Sequence, residues 1–263
     1  MKLTIITAVY NGASTIRDTI DSVLTQNVND IEYIIVDGMS IDGTANIVES
    51  YDDKRIKYIR EPDRGIYDAM NKGIKSAKGD VIGIINSDDF YVPGILNEIM
   101  SYFAQYSDID IIHGNTFDVD KKGCVKISKP HNLDSLKYGM TLRHPTCFVK
   151  NNIYKKIWLF DQQFHIAADY DFLLRCYMQW TKFFYVDKVF VRFRRGGISD
   201  TNRIESCREQ TAVRKKNKCK YIILVSIVLF VRQWKWLVVN LPLNLFLKFK
   251  SNVKKMTTVI FRT

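Results

Sequence analysis

The first half of the chain alternates short apolar runs with stretches of helical spacing. KLTIITAV (2–9), EYIIVD (32–37), RIKYIR (55–60), VIGIIN (81–86) and IDIIHGN (109–115) read as strands, rich in β-branched residues. Between them Ala13–Gln26, GTANIVESY (43–51), Gly65–Ala77 and Pro93–Gln105 read as helices. Strands that alternate with helices in this way predict an α/β domain with a mostly parallel sheet. FDVDKKGCVKIS (117–128) predicts a hairpin turning near Lys122-Gly123. The pattern then loosens. HPTCFVK (144–150) reads as a strand, Asp169–Trp180 as a helix with apolar Phe172, Leu173 and Cys176, and TKFFYVDKVFVRFRR (181–195) as one or two strands.

Ligands of open parallel sheets collect at the carboxyl ends of the strands. The residues at those ends are Tyr10-Asn11-Gly12, Asp37-Gly38, Glu61 to Arg64 and Ser87-Asp88-Asp89. Four successive strands thus aim polar groups at one edge. Asp88 and Asp89 follow a buried run, and buried charge is costly unless paired or bound to a metal. Mg²⁺ and Mn²⁺ take oxygen ligands, commonly one or two carboxylates plus substrate phosphates. A helix cap is the competing role, but Pro93 fits the first helical turn and places the cap near Val92, beyond either acid. Asp37 can accept from a nucleobase N–H or a ribose hydroxyl, whereas Asp42 reads as a helix cap. Arg64 can reach a base carbonyl or a phosphate, or pair with Asp63 or Glu61.

Composition changes the picture in one place. A chain of 263 residues, 46% hydrophobic and 25% charged, is globular. Its five cysteines are scattered without a CxxC pair, which favours reduced thiols in a cytoplasmic compartment. The amino terminus lacks a secretory-signal pattern. The net charge of +11 is not spread evenly: residues 203–263 hold 14 Lys and Arg against 2 acids, whereas residues 1–202 hold 25 against 26. A near-neutral body, 1–202, is therefore expected to precede a cationic extension, 203–263.

The ordered motifs TAVYNG, VDGMSIDGT, EPDRGIYDAMNKG and NSDDF resemble those of the inverting, nucleotide-sugar-dependent glycosyltransferases of family 2, which have the GT-A fold. The resemblance continues through HPTCFVK and FDQQFHIAADYDFLLR to GGIS (196–199), so it covers roughly residues 1–200. It implies a nucleotide-sugar-binding half, 1–115, and an acceptor-binding half, 116–202. It implies nucleotide contacts from Thr7, Val9 and Asn11, with Asp37 and Arg64 at the base of a uridine donor. Asp88 would lie near the ribose, and Asp89 would hold an Mn²⁺ or Mg²⁺ ion bridging the donor's two phosphates. Inverting transfer also needs a base for the acceptor hydroxyl. The family's acidic pair aligns with Ala168-Asp169, which makes Asp169 the base and leaves Ala168 in place of the usual Glu; Asp171 is the second candidate. His144 and His165 fall in family-like segments on the acceptor side, whereas His113 and His131 suit packing. The QxxRW element of processive synthases is absent in that form, Gln210 to Arg214 having the wrong spacing and no Trp, so transfer of a single sugar is expected.

The extension carries Tyr221–Val231, apolar for 11 residues, followed by Arg232, Trp234, Lys235 and Trp236. That run is short of the roughly 20 residues of a spanning helix. Basic residues flanking apolar, Trp-bearing stretches suit the headgroup region of an anionic membrane surface, while no recognition motif points to nucleic acid. The resulting expectation is a peripheral enzyme on the cytoplasmic face of the bacterial inner membrane, acting on a lipid-linked saccharide in surface polysaccharide assembly. The rivals are a metal-dependent phosphatase or nucleotidyltransferase, disfavoured by Tyr10-Asn11-Gly12 at the end of the first strand, and a non-catalytic nucleotide-sugar-binding scaffold.

Overall fold

The computed structural model describes residues 1–120 and 122–219, which belong to one compact unit, Met1–Lys220. In chain order the strands are β1 (Leu3–Val9), β2 (Ile31–Asp37), β3 (Ile56–Arg60), β4 (Val81–Ile84), β5 (Phe90–Tyr91), β6 (Ile111–Val119), β7 (Val125–Ser128), β8 (Phe148–Lys150) and β9 (Phe183–Arg194). The helices are α1 (Ile16–Leu24), α2 (Thr44–Glu49), α3 (Ile66–Ser76), α4 (Ile95–Gln105), α5 (Asn151–Ile157), α6 (Ala168–Met178), α7 (Ile198–Thr201) and α8 (Arg203–Lys216).

The strands form one sheet in the order β3-β2-β1-β4-β8-β6-β9-β5, with β7 paired to β6. The block β3-β2-β1-β4 is parallel. Every residue of β1 is buried, which explains its unbroken apolar run. Its two faces take different partners. Leu3, Ile5 and Val9 join Ile16, Ile20 and Val23 of α1 in the core, each buried aliphatic side chain contributing about 1.5–3 kcal/mol. Ile6, on the opposite face, meets α3 at Gly73, where an added Cβ would lie 2.5 Å from the Ile6 side chain. Strand β9 runs unbroken for 12 residues and pairs in parallel with β6, so the one-strand reading of 181–195 holds.

Two boundaries differ from the sequence pattern. Helix α4 begins at Ile95 rather than Pro93, because Gly94 takes a left-handed conformation (φ +78°) that Pro93 cannot extend through. Residues 203–219, placed in the extension by their charge, are instead part of the compact unit. Val213 and Arg214 of α8 are fully buried, and Arg214 donates to the Tyr138 carbonyl. The rest of the expected membrane-binding segment, including Trp234 and Trp236, lies outside the described residues. Among the described residues no helix is long and apolar enough to cross a membrane.

Candidate active site

At the carboxyl ends of β1 and β4 lies a cavity of about 1090 Å³, roomy by the standard of small-molecule sites, which run to about 1,000 Å³. Its lining includes Tyr10, Asn11 and Gly12 after β1, Arg64 and Gly65 before α3, Asn86, Ser87 and Asp88 after β4, and Asp169 on α6. Asn11, Arg64, Asp88 and Asp169, four of the residues singled out from the sequence, thus share one cavity.

Asn11 takes a left-handed conformation (φ +53°) fixed by two bonds: its N–H donates to Ser40 Oγ at 2.8 Å, and its Oδ1 accepts from the Ile41 N–H at 3.0 Å. Arg64 is 81% exposed at its side chain and only loosely paired with Asp68, at 3.9 Å, leaving most of its donors facing solvent. The competing pairing with Asp63 or Glu61 is not the one formed.

Thr7, Val9, Asp37 and Asp89 lie behind the cavity rather than in its lining. The side chains of Thr7 and Val9 share the face of β1 that packs under α1; Thr7 Oγ1 is hydrogen-bonded to Tyr33 Oη at 3.0 Å, and Val9 sits in the core. Ala8, on the opposite face, lines the cavity instead. Asp37 is fully buried, and its carboxylate is engaged by the protein. Oδ1 accepts from the N–H and hydroxyl of Ser40 at 2.8 and 2.6 Å, Oδ2 accepts from Tyr58 Oη at 2.6 Å, and Arg60 lies 3.6 Å away. Its place is that of an anchor for the loop after β2.

The acidic pair divides in the same way. Asp88 lines the cavity, and burial pushes its carboxyl above the usual range, partly offset by Arg194. Asp89 is 1% exposed; Oδ1 accepts from the Arg194 N–H at 2.9 Å and Oδ2 from Asn86 Nδ2 at 3.0 Å. Asp89, expected to hold the cation, is not in the cavity lining: Asp88 is the acid presented to the cavity, and Asp89 ties the β4 loop to the end of β9. Burial, and then the Asp88 charge, raise the Asp89 carboxyl from 3.8 to about 8.

That shift has a defined sign. Between about pH 4 and pH 8 the unfolded chain ionises Asp89 while the folded protein holds it neutral, so stability through this group is fully present below that window and falls as pH rises through it. In metal-free buffer the wild-type melting temperature is expected to fall between pH 4 and pH 8 by more than that of Asp89→Asn, whose amide gives up one of the two N–H bonds but has no proton to lose; a difference between the two that is independent of pH would contradict the assignment.

Asp169 opens α6 on the far side of the cavity. Its Oδ1 accepts from its neighbour Tyr170 N–H at 2.8 Å and lies 3.0 Å from the hydroxyl of Tyr67, which is also 2.8 Å from the Ile166 carbonyl. Oδ2 has no hydrogen-bond partner among the described residues and is the oxygen available to a ligand. Helix α3 reaches across with three side chains: Tyr67 to Asp169, Asp68 to Gln162, and Asn71 to both the N–H and the carbonyl of Phe160. Asp171, the alternative base, is fully buried between Arg175, Lys216 and Asn217 and lies outside the cavity lining. Ala168 is also fully buried.

Two residues were not visible as site residues in the sequence. Tyr67 lies inside a quoted motif, but its partner is 102 positions away. Arg194 ends β9 and lines the cavity; one guanidinium nitrogen is 2.5 Å from Asp18, while Nη1 is buried without a hydrogen-bond partner among the described residues. A buried, unpaired guanidinium nitrogen beside Asp88 suits an anionic ligand. Of the histidines, His144 and His165 line the cavity and His113 is buried, while His131, expected in packing, also lines it.

Among the described residues no group of three or more His, Cys, Asp or Glu side chains could hold a metal. A single cavity-facing carboxylate nevertheless fits a hard divalent cation whose remaining ligands are phosphate oxygens and water, and Asp88 is half-buried at the cavity wall.

The parallel block of the sheet thus ends in polar loops and an acidic turn around one cavity, the place where open α/β sheets collect their ligands. The family described as Glycosyl transferase family 2 matches residues 4–194, and the chain belongs to that family. It is 32% identical over 204 residues to an uncharacterized glycosyltransferase of Rickettsia prowazekii (strain Madrid E), covering 72% of this chain and 60% of that relative's length. The architecture is the GT-A fold. It is similar to S. aureus TarS solved in complex with UDP-GlcNAc (TM-score 0.68, 18% identity, 93% of this chain and 77% of the other). It is also similar to the mannosyltransferase PcManGT from Pyrobaculum calidifontis in complex with GDP-Man and Mn²⁺ (TM-score 0.66, 15% identity, 96% and 79%).

Proposed function

We propose that the protein is a divalent-metal-supported, non-processive inverting glycosyltransferase that moves one sugar from a UDP-sugar to an acceptor hydroxyl. The observation that carries this reading is the joint lining of one cavity by Asp88, Arg194 and Asp169, which brings a metal-binding carboxylate, a phosphate-binding cation and a base together. UDP-GlcNAc in TarS and GDP-Man with Mn²⁺ in PcManGT support a nucleotide-sugar donor in the same fold.

Asp88 would hold the cation, which when bound supplies positive charge to offset the departing diphosphate. The Arg194 guanidinium faces the same diphosphate. Asn11 and Arg64 flank the nucleoside end, and the backbone at Gly12 passes close to the Ser87 loop, where an added Cβ would lie 3.3 Å from Ser87 Oγ. The acceptor oxygen attacks the anomeric carbon from the face opposite the diphosphate, the bond from that carbon to the diphosphate oxygen breaks, and the hydroxyl proton passes to Asp169 Oδ2. Tyr67 and the Tyr170 N–H hold Oδ1 still while Oδ2 takes the proton. Direct displacement gives inversion.

The acceptor in this reading is a lipid-linked saccharide of bacterial polysaccharide biosynthesis, met by a peripheral enzyme at the cytoplasmic face of the inner membrane. Its support is charge: residues 220–263 carry eight Lys and Arg and no Asp or Glu, a composition suited to an anionic leaflet. The experiment that tests the donor half is titration of UDP into the purified full chain with and without Mn²⁺. Binding that requires the metal is the expected result; no binding under either condition would contradict a uridine donor.

A further inference from the structure

The segment that ends in the proposed base is held from two sides. On the donor side are Tyr67, Asp68 and Asn71 of α3. On the other side is α8, which comes after the last family motif and to which the mechanism above gives no part. Its Glu209 is buried, and the carboxylate accepts three consecutive backbone N–H groups: His165 to Oε1 at 2.8 Å, Ile166 to Oε2 at 2.8 Å and Ala167 to Oε2 at 2.9 Å. The next residues are Ala168 and Asp169. Ala167, at the amino-terminal boundary of α6, has no side-chain oxygen with which to organise the turn, so the acceptor comes from a helix more than 40 positions away. The neighbouring Gln210 lines the cavity, and the Met140 N–H points to its Oε1 at 3.5 Å. Lys216, about two turns beyond Glu209 along α8, bonds Asp161 at the other end of the same segment at 2.7 Å.

We propose that Glu209 is a positioning residue for the transfer reaction, fixing the 165–167 turn so that Asp169 presents Oδ2 to the acceptor hydroxyl; this rests on Asp169 being the base. A carboxylate suits the task because three N–H donors on two oxygens need an acceptor on each atom, and charge-assisted bonds are short and directional. An amide can accept on only one of them. Glu209→Gln therefore leaves at least one of the three N–H groups facing a donor, and the turn shifts. A displacement of about 1 Å at a reacting group costs on the order of 10²-fold in rate.

The test measures UDP release from the UDP-sugars that the wild type turns over, together with UDP affinity, for Glu209→Gln, Asp169→Asn and the double variant. Glu205→Gln, an exposed carboxylate paired with Arg208 on the same helix, serves as control. The expected result is a kcat lowered about 10- to 100-fold in Glu209→Gln with UDP affinity unchanged, no effect in the control, and no further loss when Glu209→Gln is added to Asp169→Asn. If Glu209→Gln does not fold, Glu209→Asp, which keeps both acceptor oxygens on a shorter stem, is expected to show the same split. Unchanged kcat, an equal loss of UDP affinity, additive losses in the double variant, or failure of both variants to fold would each overturn the inference. Wild-type turnover in Asp169→Asn would overturn the proposed base itself, a different outcome from an inactive Asp169→Asn beside an unaffected Glu209→Gln.

Discussion

Asp169→Asn is expected to lower kcat for sugar transfer by about 10³-fold, in the range of a lost general base, while UDP affinity stays at the wild-type value. The split follows from position. Asp169 stands on α6, across the cavity from the Asp88 turn, and its Oδ1 is occupied by Tyr67 and the Tyr170 N–H. Asn preserves an acceptor at Oδ1 and removes only the proton-accepting oxygen. Tyr67→Phe tests the support of that oxygen: it is expected to lower kcat roughly tenfold, the scale of one hydrogen bond to a charged group, again with UDP affinity retained. The assay is initial-rate UDP release beside calorimetric UDP binding. Loss of UDP binding in Asp169→Asn would show that the residue serves the donor.

Asp88→Ala is expected to abolish the Mn²⁺-dependent part of UDP affinity, a loss of at least about 10²-fold, since even groups behind a metal's ligands are worth 10- to 100-fold. Asp89→Asn is expected to weaken it far less, because its oxygens already serve Arg194 and Asn86. Titration of the two variants in parallel separates the roles of adjacent acids. The reverse ranking would restore Asp89 as the metal ligand and show that the β4 turn rearranges when the cation binds.

Much of the fold was legible because its central strands are continuous Ile, Val and Thr runs whose ends coincide with the polar motifs. β1 and β2 fall within a residue or so of their expected ranges. The ends that moved were set by single conformations: Gly94 delays α4, and β6 continues to Val119 as the first strand of its hairpin. The candidate site was legible as a set of residue types but not as a set of directions. Asp88 and Asp89 are neighbours in one turn, and only the turn geometry decides which of them faces the cavity. Strand period explains Thr7 and Val9 in hindsight, because Ala8 occupies the face that the cavity uses. Asp37 was captured by Tyr58, 21 positions on, in the neighbouring strand. Tyr67 and Glu209 act through partners at sequence separations of 102 and 42–44, contacts that no local pattern encodes. Charge alone misplaced residues 203–219, since Arg214 is buried against the Tyr138 carbonyl and the Thr211 hydroxyl instead of facing solvent.

The measurement that bears most directly on the central claim is UDP release by the full chain from a panel of UDP-hexoses and UDP-N-acetylhexosamines, with Mn²⁺ or with a chelator, for wild type and Asp169→Asn. Metal-dependent release from at least one donor, lost in Asp169→Asn, is the predicted result. Release that is indifferent to the chelator, or release that persists in Asp169→Asn, would contradict the account.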